Sequence, residues 1–144
     1  MNDAIRAAKR LYLDANCLIY LIEREDTIQK QIANLVAYAV QNGIELAISE
    51  IGVAECLYGA FKRNSALLES LYTEIFYDVP LFMLCPVDGE RLKLAAKLGA
   101  EKRLKLVDAV HLLAVTEHEC DVFVTNDTGF KSSHSIHVIQ LSQL

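Results

Sequence analysis

A chain of 144 residues that is 53% apolar and 23% charged, with six glycines and two prolines, has the make-up of one ordinary globular domain; disordered, fibrous and low-complexity classes are excluded. The net charge of -5 argues against coating nucleic acid through bulk positive potential, while leaving a local basic groove open. Cys17, Cys56, Cys85 and Cys120 are widely spaced and form no CxxC pair, so they are expected as reduced core residues rather than disulfides. The opening MNDAIRAAKR lacks the apolar core of a secretory signal, and no unbroken apolar run of about 18 residues is present to span a bilayer. No membrane association and a cytoplasmic location are expected.

In chain order, LYLDANCLIYL (residues 11 to 21) opens with the apolar run Leu11 to Leu13, which predicts a strand ending at Asp14; Cys17 to Ile22 continues as a buried helix up to the charged stretch Glu23 to Asp26. A second, amphipathic helix is predicted over Thr27 to Gln41, stopping at Asn42 and Gly43, and IELAIS (Ile44 to Ser49) reads as a strand whose Ser49 can cap the next helix. That helix, Glu50 to Arg63, is followed by another over Ser65 to Tyr77. In the latter, Leu67, Leu68, Leu71, Tyr72, Ile75 and Phe76 form a stripe at helical spacing, read as core in preference to a partner surface. Leu81 to Cys85 is a short strand ended by Pro86, and Asp88 caps a helix through Lys97 and Leu98 that is expected to break at Gly99. Leu104 to His118 is a helix apolar nearly all the way round, and DVFVT (Asp121 to Thr125) and SIHVIQL (Ser135 to Leu141) read as strands. Strands alternating with helices predict an α/β fold, a mostly parallel central sheet with helices on both faces, in one domain over residues 1–144.

In open parallel sheets, ligands bind beyond the carboxyl ends of the strands. Asp14 ends the first strand, and in VFVTNDTGF the strand ends at Thr125, which puts Asn126 and Asp127 on the same rim. Ile51, Ala54, Glu55 and Tyr58 follow helical spacing, so Glu55 is expected on the apolar face of its helix, with Glu50 well round from it. In LKLVDAVHLLAV, Asp108 shares a side with Leu104, Val107, His111 and Val115 on a helix with hardly any polar face. Each acid alone has a structural explanation: Asp14 and Asp127 as turn or cap residues, Glu55 paired with Lys62 or Arg63, Asp108 bonded to a buried hydroxyl. Together they are harder to dismiss, because converging carboxylates repel, and one must keep a proton at neutral pH unless a cation joins them. Oxygen ligands of this kind favour Mg²⁺ or Mn²⁺; zinc would want His and Cys at short spacing. The zinc candidate is His111, His118 and Cys120, against which stands the commoner structural role of a histidine lining a helix. His134 and His137 are expected in a surface loop and in the last strand.

These segments resemble the PIN-domain nucleases and, among them, the VapC-type toxins of bacterial and archaeal toxin-antitoxin pairs. The likeness covers nearly the whole chain: LDANCLIYL looks like the family's opening aspartate motif, ISEIGVAECLYGA its helix-borne glutamate motif, VDAVHLLAV its third-acid motif and VTNDTGF its closing Thr-Asn-Asp motif. The resemblance implies a three-layer PIN-like fold. It implies a catalytic quartet of Asp14, Glu55, Asp108 and Asp127, with Asp14, Asp108 and Asp127 as ligands of Mg²⁺ or Mn²⁺ and Asn16, Thr125 and Asn126 in support. It also implies metal-dependent hydrolysis of RNA phosphodiester bonds, one carboxylate serving as general base. For a toxin it implies a homodimer and a small cognate antitoxin that sends a helix or an arginine toward the acidic site.

An acidic quartet repels phosphate until a cation arrives, so grip on RNA must come from elsewhere. Lys62, Arg63, Lys102, Arg103 and Lys105 are the candidates, with solvated helix ends the plainer reading of any single one. No aromatic platform or RNA-reading module is recognisable. Dinucleotide-binding and P-loop domains are set aside, because Asp14, Ala15 and Asn16 stand where a glycine-rich loop would follow the first strand. Two alternatives stay open: a phosphoryl-accepting domain using Asp14, and a catalytically idle PIN domain acting as an RNA or protein interaction module.

Overall fold

The computed structural model describes residues 1–130, 132 and 136–144. A short helix α1 (Asp3–Ala7) precedes strand β1 (Arg10–Leu13), helices α2 (Ala15–Glu23) and α3 (Thr27–Gln41) and strand β2 (Glu45–Ser49). Helices α4 (Glu50–Lys62) and α5 (Ala66–Thr73), strand β3 (Phe82–Cys85), helices α6 (Gly89–Lys102) and α7 (Leu106–Glu117) and strands β4 (Val122–Thr125) and β5 (His137–Gln140) follow. The strands form a five-stranded sheet in the order β3-β2-β1-β4-β5, and every pairing is parallel. The chain winds outward from β1 through β2 to β3, then returns to the other side of β1 for β4. That reversal opens a crevice at the carboxyl ends of β1 and β4, where the connecting segments leave the sheet in opposite directions.

Alternation along the strands makes the three layers. Leu11 and Leu13 of β1, Leu46 and Ile48 of β2, and Val122 and Val124 of β4 share one face, buried with Leu18, Ile32, Leu35, Val53 and Tyr72 from α2 to α5. Tyr12, Ala47 and Phe123 take the opposite face and meet Ala114 and Val115 of α7. Ala95, Ala109 and Val110 join α6 to α7. Because helices cover both faces, the strands read as unbroken apolar runs instead of alternating ones.

The caps expected at Ser49 and Asp88 form: their side chains accept from the Ile51 amide at 3.2 Å and the Arg91 amide at 2.9 Å. Gly99, in contrast, does not end its helix. α6 continues to Lys102 and turns at Arg103, which takes the left-handed conformation at φ 56°. Gly99 serves close approach: a Cβ there would stand 3.1 Å from Ala109 Cβ and 3.3 Å from the Leu104 carbonyl oxygen. The helix predicted over Ser65 to Tyr77 is α-helical only to Thr73, then widens into a π-helical turn, Glu74–Asp78, closed by the Val79 amide on the Glu74 carbonyl at 2.9 Å. Pro80 has no amide with which to extend it. The stripe on this segment is core only in part, with Tyr72 and Phe76 buried and Leu67 70% exposed. All four cysteines are buried and unpaired. Among the described residues no helix is long and apolar enough to cross a membrane. His137 lies in β5 as expected, whereas His134 and Ser135 fall outside the described residues.

Candidate active site

The β1 ladder runs one residue past the strand, the Asp14 amide donating to the Val124 carbonyl at 3.2 Å, so Asp14 leaves the sheet beside the end of β4. Its carboxylate caps α2 through Oδ1, which accepts from the Cys17 amide at 3.1 Å, while Oδ2 accepts from the Thr125 hydroxyl and from the Asn126 amide at 3.2 Å. Only 7% of Asp14 is exposed, and these donors replace the water that burial removes. Thr125, fully buried, ties the two walls together: its hydroxyl donates to Asp14 and accepts from the Asp127 amide at 3.0 Å. Asp127 sits in a side-chain turn whose Oδ1 accepts from the Gly129 amide at 2.7 Å. Its carbonyl accepts from Gln140 Nε2 of β5 at 3.0 Å.

Across the crevice, Asp108 occupies the first turn of α7, where the helix dipole favours an anion. Its carboxyl group faces that of Asp127. Burial first, then the charge of Asp127 and a hydrogen bond with it, raise the Asp108 pKa above the ordinary 3.8, against a smaller lowering by His111 and Lys105. Glu55 reaches in from α4, and its Oε1 lies 2.8 Å from His111 Nε2. The imidazole is 4% exposed, with Nδ1 2.6 Å from the Tyr12 hydroxyl, which in turn accepts from the Ser49 amide at 3.1 Å. Burial pushes the Tyr12 phenol well above its usual pKa, so it keeps its proton. Gly52 leaves room for the ring: a Cβ there would stand 3.3 Å from His111 Cε1 and 2.8 Å from Ile48 Cγ1.

The four acids, with Asn16, His111 and Phe130, line one cleft of about 70 Å³. No Lys or Arg is among its described lining residues. Nor, among the described residues, are three His, Cys, Asp or Glu side chains drawn together as a finished ion cage. The donor set still fits a hard divalent cation: it is almost all carboxylate oxygen, no Lys or Arg is among its described lining residues, and the charge of Asp127 acts on Asp108 as a repulsion that a cation would relieve.

Several expectations need correction. Glu55 is not on the buried face of α4, which consists of Gly52, Val53, Cys56 and Ala60; small side chains let this face lie close against its neighbours. Ile51, Ala54, Glu55 and Tyr58 instead border an open apolar groove with Ile19, and Tyr58 is 67% exposed. The pairing of Glu55 with Lys62 or Arg63 is not made, since Arg63 binds Glu23 and the Lys62 ammonium lies 5.9 Å from the Tyr58 ring. The zinc trio is not assembled: His111 is engaged by Tyr12 and Glu55, while the Cys120 thiol faces the His118 carbonyl at 4.0 Å. Asn16 is exposed at the rim. The Asn126 side chain points away from the cleft and donates to the Tyr20 hydroxyl at 3.2 Å, with Arg24 over that ring at 4.7 Å. Lys102, Arg103 and Lys105 are exposed on the turn from α6 into α7. Sequence reasoning overlooks Tyr12 and the bond between His111 and Glu55; the one available signal is the spacing of three between Asp108 and His111, which puts both on one side of α7.

The sequence matches the family described as PIN domain over residues 11–133. Among solved structures, the fold is similar to a chain of VapBC2 from Rickettsia felis bound to a promoter DNA fragment, with a TM-score of 0.69 and 19% identity, covering 91% of this chain and 98% of that one. It is similar to a chain of a toxin-antitoxin complex from Klebsiella pneumoniae, at TM-score 0.62 and 23% identity over 88% of this chain and 94% of that one. DNA-bound VapBC from Salmonella typhimurium gives a TM-score of 0.62 and 18% identity over 92% and 98%. At such identities the likeness is one of fold. No curated protein matches the sequence significantly.

Proposed function

The chain belongs to the PIN domain family, and from that premise we propose that it is a divalent-metal-dependent endoribonuclease, the toxin of a toxin-antitoxin pair. The observation that carries this reading is the meeting of carboxylates from the end of β1, from α4, from α7 and from the segment after β4 around one cleft. Asp14, Asp108 and Asp127 would hold Mg²⁺ or Mn²⁺; once bound, such an ion lowers the pKa of water and offsets the charge that develops on a phosphate under attack. The protein's own residues do the positioning. The Thr125 hydroxyl and the Cys17 and Asn126 amides fix the Asp14 carboxylate, and Thr125 sets the spacing of Asp14 to Asp127. Glu55, the acid with the His111 imidazole behind it, serves as proton acceptor toward the cleft. Asn16 at the rim can donate to phosphate or ribose oxygens.

RNA as substrate is supported by the VapC-like set of motifs, and an antitoxin partner by the fold shared with chains of VapBC complexes. Homodimer formation and a cytoplasmic location belong to the same reading. Phosphate grip falls best to Lys105 with Lys102 and Arg103, next to Asp108; Arg63 is already held by Glu23. Metal-dependent RNA cleavage is expected of the wild type, slowed at least about a hundredfold by Asp14→Asn; equal rates would refute the proposal. In calorimetry, Mn²⁺ binding is expected to vanish in Asp108→Asn, whereas an idle interaction module would show no such site to lose. Covalent labelling of Asp14 by a phosphodonor would point to a phosphoryl-accepting domain instead.

A further inference from the structure

A file of hydrogen bonds leads from the sheet to the cleft. The Ser49 amide donates to Tyr12 Oη at 3.1 Å, Tyr12 Oη stands 2.6 Å from His111 Nδ1, and His111 Nε2 stands 2.8 Å from Glu55 Oε1. The roles of the two ring nitrogens follow from the tautomer, and the groups at the two ends of the file favour one of them. A peptide N–H can only donate and an ionised carboxylate can only accept. Tyr12, accepting from Ser49, has its own hydrogen left for His111 Nδ1, and the arrangement that satisfies every group in the file is then the imidazole with its hydrogen on Nε2, toward Glu55.

Core packing does not require this file. The Tyr12 ring meets Phe123 edge-on at 5.2 Å between centroids, and a phenylalanine would fill the same space; the hydroxyl adds only the contacts to Ser49 and His111. Glu55, for its part, stands on the open side of α4 with its side chain 39% exposed, and it borders both the acidic cleft and the apolar groove of Ile19 and Tyr58. A free glutamate there would divide its time between the two. The bond from His111 selects the cleft.

We propose that Tyr12 and His111 are positioning residues that hold the Glu55 carboxylate toward the acidic cleft, with Oε1 engaged by the imidazole and Oε2 free to take a proton. The kinetic consequence rests on the nuclease reading; the hydrogen-bond polarity does not. Nitrogen-15 NMR of the imidazoles in the metal-free wild type, with His111 assigned by its loss in His111→Gln, reads the second point directly. Hydrogen on Nε2 with Nδ1 bare is expected, and hydrogen on Nδ1 would overturn the file whatever the protein's activity. In RNA cleavage with Mn²⁺, Tyr12→Phe is expected to lower kcat about ten- to a hundredfold, leaving KM and the calorimetric Mn²⁺ affinity within about twofold. In a Glu55→Ala background the same change is expected to cost nothing further; an equal loss in both backgrounds would make the hydroxyl a fold element and sink the assignment. His111→Gln, which keeps an N–H for Glu55, is expected to outperform His111→Ala, and equal activities would count against it. A wild type without metal-dependent cleavage removes the nuclease reading alone, and the NMR result then decides the file.

Discussion

At Asp108 the protein keeps an acid whose proton is hard to remove, since burial and then Asp127 raise its pKa above 3.8. An acid raised in this way contributes stability that is fully present below its unfolded pKa and is lost as pH rises through the folded one. At neutral pH the ionised group therefore weakens the metal-free fold. Asp108→Asn in chelator is expected to melt higher than wild type near pH 7, by no more than about 4 °C because a half-open charge pair is worth under about 1 kcal/mol. The advantage should shrink as the pH is taken down to about 4, and added Mn²⁺ should raise the melting temperature of the wild type alone. Asp14 is legible in the sequence because a lone carboxylate in an apolar run has to be met by something. Glu55 is legible as one of the acids that line the cleft but not in its surroundings: spacing tells which residues share a helix face, while only packing tells which face meets the sheet. The partnership of Tyr12 with His111 spans 99 positions, and no local pattern announces it.

Elements whose ends carry a side-chain cap are read well from sequence. Asp14, Asp26, Ser49, Ser65 and Asp88 each accept from an amide in the first turn they precede, and those starts fall where the sequence places them, to within a couple of residues. α7 has no such mark, because Lys105 stands at its N-cap without a capping side chain, and its start is misjudged by two residues. Gly99 misleads for a different reason: glycine signals a stop only when backbone freedom is what the position uses, and here the missing Cβ is used. Gly99→Val is accordingly expected to lower stability by about 1–3 kcal/mol through overpacking of α6 on α7. Urea denaturation should show the midpoint falling at an unchanged slope.

On the scale of the whole molecule, the nuclease reading assigns phosphate grip to the small basic turn between α6 and α7, set in a chain of net charge -5. Changing Lys102, Arg103 and Lys105 together to glutamine is expected to raise KM for RNA several-fold at low salt, with kcat little altered and the difference fading as salt is added. The parallel sheet itself is legible from alternating strands and helices, and the crevice from the strand ends. Strand order is not, since it depends on which apolar faces close on which.

That order also has a consequence in time. β1 lies between β2 and β4, and Asp14 takes its hydroxyl bond from a threonine 111 residues further along. A ribosome delivers the first of these long before the second, and until then one edge of β1 is bare and its aspartate unclasped. On the nuclease reading, unfinished chains are harmless to the cell that makes them: translation has to pass Asp127 before there is anything to restrain.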